Sequence, residues 1–167
     1  MKRLFTIGYE GVTLDEFLST LENTAISVLL DIREIPISRR KGFSKNALSE
    51  ALAVKDIGYR HERSLGSPKT IRHKLREDGN YQAFFRAFDR YLLKHNSLLR
   101  ELVEELNGNV VLMCYEKDHT QCHRSSVVNA LAEISGLKPT HLEVNSNERR
   151  KASHTPHSDY CQSVSAA

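Results

Sequence analysis

Two short runs of almost uninterrupted apolar residues constrain this chain most: Ile26-Ser27-Val28-Leu29-Leu30-Asp31-Ile32 and Val110-Val111-Leu112-Met113-Cys114. Each is too short for a helix of ordinary length. Neither alternates in the way a strand with one wet face does. Runs of this kind fit strands covered on both faces, the pattern of parallel sheets packed between helices. The surrounding segments fit that frame. Leu4-Phe5-Thr6-Ile7-Gly8-Tyr9 is a β-type run ending at a glycine turn, and Thr13-Leu14-Asp15-Glu16 is a capping box opening a helix on Phe17, Leu18 and Leu21. This β-α-β opening predicts that the first two strands form a parallel pair joined by a right-handed crossover.

Further along, Pro36, Gly42 and the basic side chains Arg33, Arg39, Arg40 and Lys41 mark a loop. Ser44 is placed to cap a helix reaching Ala53. Ile57-Gly58-Tyr59-Arg60-His61 reads as another strand, and Ser64 to Pro68 as a turn. Helical spacing runs from Tyr81 to Leu106, with a break at His95-Asn96-Ser97. A helix from about His123 to Ile134 ends at Gly136, a residue suited to a left-handed cap, and Thr140 to Val144 is a weak last strand. The expected fold is α/β: one domain over residues 1–145, with a three-layer, mostly parallel sheet flanked by helices. The polar residues 146–167, with Arg149-Arg150-Lys151, read as a disordered tail.

A chain of 167 residues can bury a sizeable core. Its 24 lysines and arginines against 21 aspartates and glutamates leave only +3, so the placement of charge matters more than its sum. No run approaches the roughly 20 apolar residues of a membrane span, and the apolar run at the N-terminus is too short for a signal peptide. Three scattered cysteines do not form a secreted disulfide framework. A cytoplasmic location with reduced thiols is the expectation, with no membrane partner.

In an open parallel sheet, ligands bind beyond the carboxyl ends of the strands. Three such ends carry polar groups: Gly8-Tyr9-Glu10, Asp31-Ile32-Arg33 and Cys114-Tyr115-Glu116, the last followed by Cys122-His123-Arg124 at a helix start. Cys122 could be a nucleophile or sensor if helix amides, His123 and Arg124 stabilised its thiolate; a small capping residue is the plainer alternative. The spacing from either Cys114 or Cys122 to Arg124 does not match a phosphate-binding thiol loop, and the glycines such a loop needs are missing. Cys114, His119, Cys122 and His123 include no C-x-x-C pair, so no metal is expected, and no other cofactor is called for.

Asp31 and Glu116 are the sharper pair. Carboxylates at the ends of apolar strands are costly unless paired, and Arg33 and Arg124 are the natural partners. Either carboxylate could activate water or stabilise an oxocarbenium-like centre, or both could simply tie loops to the sheet. Arg33, Arg39, Arg40, Lys41, Lys45, Arg60 and Arg63, interleaved with Tyr59 and His61, make a face able to hold phosphates and stack a base; a solvated basic loop is the alternative.

Taken together, Thr6-Ile7-Gly8-Tyr9, Leu30-Asp31-Ile32-Arg33 with Pro36 and Ser38-Arg39, Gly42-Phe43-Ser44-Lys45, Ile57-Gly58-Tyr59-Arg60-His61, Leu65-Gly66, Leu112-Met113-Cys114-Tyr115-Glu116 and Cys122-His123-Arg124 resemble the family catalogued as domain of unknown function 488. The resemblance spans residues 4 to about 145 in order. It implies a three-layer α/β fold and, from relatives linked to excision of damaged bases, a DNA glycosylase with DNA as partner. It also implies a site drawn from Tyr9, Asp31, Arg33, Ser38, Arg39, Tyr59, His61, Glu116, Cys122, His123 and Arg124. Asp31 and Glu116 would be catalytic and the others substrate-binding, and Lys45 would form a Schiff base if strand cleavage followed. Tyr115 stands where a smaller residue is expected and would narrow a pocket. Two other expectations stand beside this one: a non-enzymatic nucleotide or nucleic-acid binding module, and a thiol-based enzyme or sensor at Cys122.

Overall fold

The computed structural model describes residues 1–144; the expected tail at 146–167 lies outside the described residues. Five strands, β1 (Arg3–Gly8), β2 (Val28–Asp31), β3 (Gly58–His61), β4 (Asn109–Cys114) and β5 (Pro139–Leu142), form one sheet in the order β3-β2-β4-β1-β5. Every pairing is parallel. The two faces divide the strand residues by parity. Phe5, Ile7, Leu29, Val111 and Met113 pack on one side with α1 (Leu14–Asn23) and α2 (Lys45–Ala53). Leu4, Leu30, Val110 and Leu112 pack on the other with α4 (Tyr81–Leu93), α5 (Asn96–Glu105) and α6 (Arg124–Ser135). This is the three-layer α/β arrangement expected from strands that are apolar on both faces.

The strand order corrects one expectation. β1 and β2 are parallel but not adjacent, because β4 lies between them and pairs with both. The physical reason is burial. Val110, Val111, Leu112 and Met113 are fully inaccessible, and each such side chain contributes roughly 1.5–3 kcal/mol on leaving water. The centre of the sheet is where both faces are covered, so β4 takes it. The polar strands β3 and β5, which carry Arg60, His61, Thr140 and His141, lie at the edges.

Local signals set the elements. Thr13 Oγ1 accepts from the Glu16 amide at 3.3 Å and Glu16 Oε2 accepts from the Thr13 amide at 2.9 Å, completing the capping box. Gly136 closes α6 at a φ of 72°. Ser44 precedes α2, but its hydroxyl does not cap the helix. It accepts from the Ser38 amide at 3.1 Å instead, fastening the basic loop to itself. Helix α3 (Lys69–Asp78) is not legible in the sequence, since it buries no residue fully and shows only a thin apolar stripe. Among the described residues, no helix is long and apolar enough to cross a membrane.

Candidate functional site

Because every strand points the same way, β1, β2, β3 and β4 all end at one edge. The loop after β4 folds back across the end of β1. Glu10 N donates to the Tyr115 carbonyl at 2.9 Å, and Lys117 N donates to Glu10 Oε2 at 3.0 Å. Gly8 makes this crossing possible: a Cβ there would lie 1.9 Å from the Glu116 carbonyl oxygen. On the opposite wall, Gly66 lets its turn lie on the Glu34 backbone, which a Cβ would meet at 2.2 Å.

Between these walls lies a groove of about 500 Å³, in the size range of ligand sites. Tyr9, Arg33, Ser38, Arg39, Glu116 and His123 line it, together with Cys114 and Tyr115. Arg40, expected on the basic face, lines it too, while Glu34, Ile35, Ile37, Ser67, Arg72 and Arg76 were not expected from sequence. Arg72 and Arg76 come from α3, one helical turn apart. That i, i+4 spacing was readable, but its direction toward the groove was not. Ser67 is 1% exposed, and its hydroxyl has no partner. A larger hollow of about 750 Å³ lies among α4, α5 and α6, but none of the site residues lines it.

Asp31, Tyr59, His61, Cys122 and Arg124 do not line the groove. They form its supports. Asp31 is fully buried and holds Arg33 through Nε–Oδ1 at 2.8 Å and NH2–Oδ2 at 2.6 Å. It also accepts from the Arg33 amide at 3.1 Å and the Tyr59 hydroxyl at 2.7 Å. Burial acts against the Arg33 charge, but the bonds to Asp31 and Tyr9 outweigh it and raise the guanidinium above its ordinary value. Burial, with the neighbouring Asp31, raises the Tyr59 hydroxyl as well. His61 Nε2 meets the Arg33 carbonyl at 2.8 Å. Tyr9, 2% exposed, accepts from Arg33 NH1 at 2.9 Å and stacks on Phe43 at 4.4 Å. The ring that reaches solvent is Tyr115, 43% exposed and edge-on to Tyr9.

The expected Glu116–Arg124 ion pair is replaced by another arrangement. Arg124 is 1% exposed and donates to the backbone carbonyls of Glu116 and Lys117, which fixes the loop rather than the carboxylate. Glu116 Oε2 instead accepts from the Cys114 thiol at 3.0 Å and the Cys122 thiol at 3.1 Å. Burial works to raise the Glu116 pKa, but both thiols, its own backbone amide and the neighbouring His123 hold it below the ordinary carboxylate value. Burial pushes the Cys122 thiol well up, with Cys114 adding to the rise. The Cys122 thiol is placed to donate to Glu116.

The sequence model of the family described as Domain of unknown function DUF488 matches residues 13–131, more than half of the chain. The chain belongs to the DUF488 family. The match includes Asp31, Arg33, Ser38, Arg39, Glu116 and His123, while Tyr9 and Gly8 lie just before it. No curated protein and no solved structure matches the chain. Of the four candidate ligands Cys114, His119, Cys122 and His123 in this DUF488 chain, Cys114, Cys122 and His123 come together, with their ligating atoms within 4.8 Å of one another. His119 turns away and stacks on His141 at 3.6 Å. Lys45 is exposed and is not among the lining residues.

Proposed function

We propose that this DUF488 chain acts on nucleic acid in the strand-end groove, as a DNA glycosylase hydrolysing the N-glycosidic bond of a damaged base. One observation carries this reading: five arginines (Arg33, Arg39, Arg40, Arg72 and Arg76) share a single groove with the carboxylate of Glu116. Arg33 is held by Asp31, Tyr9 and Phe43, Arg40 by the Val12 carbonyl and Arg72 by Glu34 and the Ser67 carbonyl, so these three supply fixed positive charge. The exposed Arg39 and Arg76 offer the forked donors that phosphates take. Two carboxylates line the groove; Glu34 is paired with Arg72 at 2.6 Å, which leaves Glu116 as the one to stabilise an oxocarbenium-like centre or orient the attacking water. Water adds to the anomeric carbon, the C–N bond breaks, and the base leaves with a proton. Asp31 takes a positioning role through Arg33. Tyr115 offers the ring face for an extruded base. The position of Lys45 outside the groove favours simple hydrolysis over Schiff-base strand cleavage.

The test is base release from duplexes that each carry one alkylated, oxidised or deaminated base, read after alkaline cleavage of the abasic site. Release by the native chain, reduced about 10²- to 10⁴-fold in Glu116→Gln, supports the proposal. Salt-dependent retention of DNA with no release from any duplex would replace it with the binding-module reading. Borohydride should trap no adduct.

A further inference from the structure

We infer that Cys114, Cys122 and His123 form a binding site for a divalent transition metal of the zinc class, open to the groove on the side of Glu116. Cys114 Sγ lies 3.7 Å and Cys122 Sγ 4.0 Å from His123 Nδ1. Zinc bonds of about 2.3 Å to sulfur and about 2.0–2.1 Å to nitrogen, set tetrahedrally, put S and N about 3.6 Å apart. The two sulfur–nitrogen gaps need close by only a few tenths of an ångström, and all three ligating atoms already lie within 4.8 Å of one another.

The imidazole is held for this task from behind. His123 Nε2 lies 3.0 Å from the carbonyl of Ile32, which can only accept, so Nε2 carries a proton and Nδ1, which faces the two sulfurs, is the nitrogen placed to ligate. A backbone carbonyl behind the imidazole is how proteins commonly fix the tautomer of a metal-binding histidine. Phe88 stands edge-on to the same ring at 5.2 Å and limits its rotation. The Arg124 amide donates to Cys122 Sγ at 3.5 Å, an interaction that favours thiolate charge. Cys114 ends β4 and His123 is the N-cap of α6, so two of the donors sit on rigid elements, and Cys122 stands between His123 and the short 3-10 turn His119–Gln121.

Metal-free, the two thiols both donate to Glu116 Oε2. The metal takes the place of their protons: one divalent ion and two thiols give one metal dithiolate and two released protons, with no change in oxidation state. Glu116 then loses both donors and faces the fourth position. Cys114, His123 and Glu116 line the groove, so that position is accessible. Three protein donors and one open position is the pattern of catalytic zinc rather than structural zinc. If the glycosidase reading also holds, a water at the open position would be the nucleophile and Glu116 its base, a step that rests on that reading.

The decisive experiment titrates cobalt(II), then zinc, into the full chain stripped with chelator under a phosphine reductant. One equivalent of cobalt should give the near-ultraviolet thiolate charge-transfer band and the strong visible bands of a tetrahedral site. Zinc should displace it, and about two protons should be released per metal. Cys122→Ser and His123→Gln should each weaken binding by more than the roughly 10–100-fold that loss of an outer hydrogen-bond partner costs. The band should persist in Glu116→Gln; its loss there would overturn the open-sided geometry. No charge-transfer band in the reduced native chain, or an unchanged band in Cys122→Ser, overturns the site. The native spectrum decides the matter even where a variant fails to fold. A chain that binds cobalt yet releases no base keeps this site and loses the glycosidase reading; base release without cobalt binding does the reverse.

Discussion

The Arg33 guanidinium grips the Asp31 carboxylate with two of its nitrogens, at 2.8 and 2.6 Å, beneath the groove that Arg33 lines. Asp31 is fully buried and the Arg33 side chain is 7% exposed, so the pair is shielded from water. The remaining nitrogen donates to the Tyr9 hydroxyl at 2.9 Å and to the Phe43 carbonyl at 2.8 Å. A side chain held at four points presents a fixed charge to any ligand.

Replacing Asp31 by Asn leaves that guanidinium buried beside a neutral group. Breaking one side of a buried pair typically costs about 3–5 kcal/mol. Asp31→Asn should therefore lose that much unfolding free energy, read as a lower urea midpoint at constant m-value. An unaltered midpoint would mean that Asp31 does not anchor Arg33 in solution.

Arg39 and Arg76 both line the groove and are exposed. Arg39→Ala or Arg76→Ala should weaken DNA binding regardless of sequence and reduce the salt slope by about 1 for each phosphate no longer neutralised. Thermal unfolding should stay within about 0.5 kcal/mol of the native chain. A salt slope unchanged in both variants would place the nucleic acid elsewhere.

Gly8→Ala puts a methyl group into the Glu116 carbonyl, with both sides of the clash being backbone. Overpacking of this kind costs about 1–3 kcal/mol, and relief requires the Tyr115–Lys117 loop to lift. The variant should lose stability and, through displaced Glu116, base release as well. A variant with native stability and native activity would show that the loop is not seated on β1.

Acid should weaken the β1–β5 edge through His141. Thr6 Oγ1 and His141 Nδ1 lie 2.8 Å apart, and burial together with His119 and Arg124 holds the His141 pKa below its ordinary value. An unfolded histidine takes its proton near pH 6.5, before the folded one does. The stability this group contributes is thus present above that pH and declines as pH falls through it toward the folded pKa. Between about pH 7.5 and pH 5.5, the native chain should lose more stability than His141→Asn does. Equal losses would show that His141 titrates alike in both states.

The capping box at Thr13 and Glu16, the cap at Gly136 and the helix break near His95 were all readable, because each depends on residues within one or two turns. So was the class of fold, since apolar runs without alternation require cover on both faces. The concentration of polar groups at the strand ends was also legible, because parallel strands bring them to one edge. Helix α3 was not legible, since it buries little and its periodicity is thin.

The sequence by itself determined which residues could matter and on which element each stands. Tertiary structure alone decided their roles. Asp31 and Glu116 look alike along the chain, yet one faces the α1 and α2 side beneath Tyr9 and Phe43 while the other reaches the groove between two thiols. Cys114 and Cys122 have no motif spacing, yet they meet at one carboxylate oxygen because β4 and α6 pack against each other. Arg72 and Arg76 arrive from a helix with no motif at all. Side-chain partners are set by strand order and by the angle at which loops leave the sheet, and β4's place between β1 and β2 was settled by burial across the whole core rather than by any local pattern.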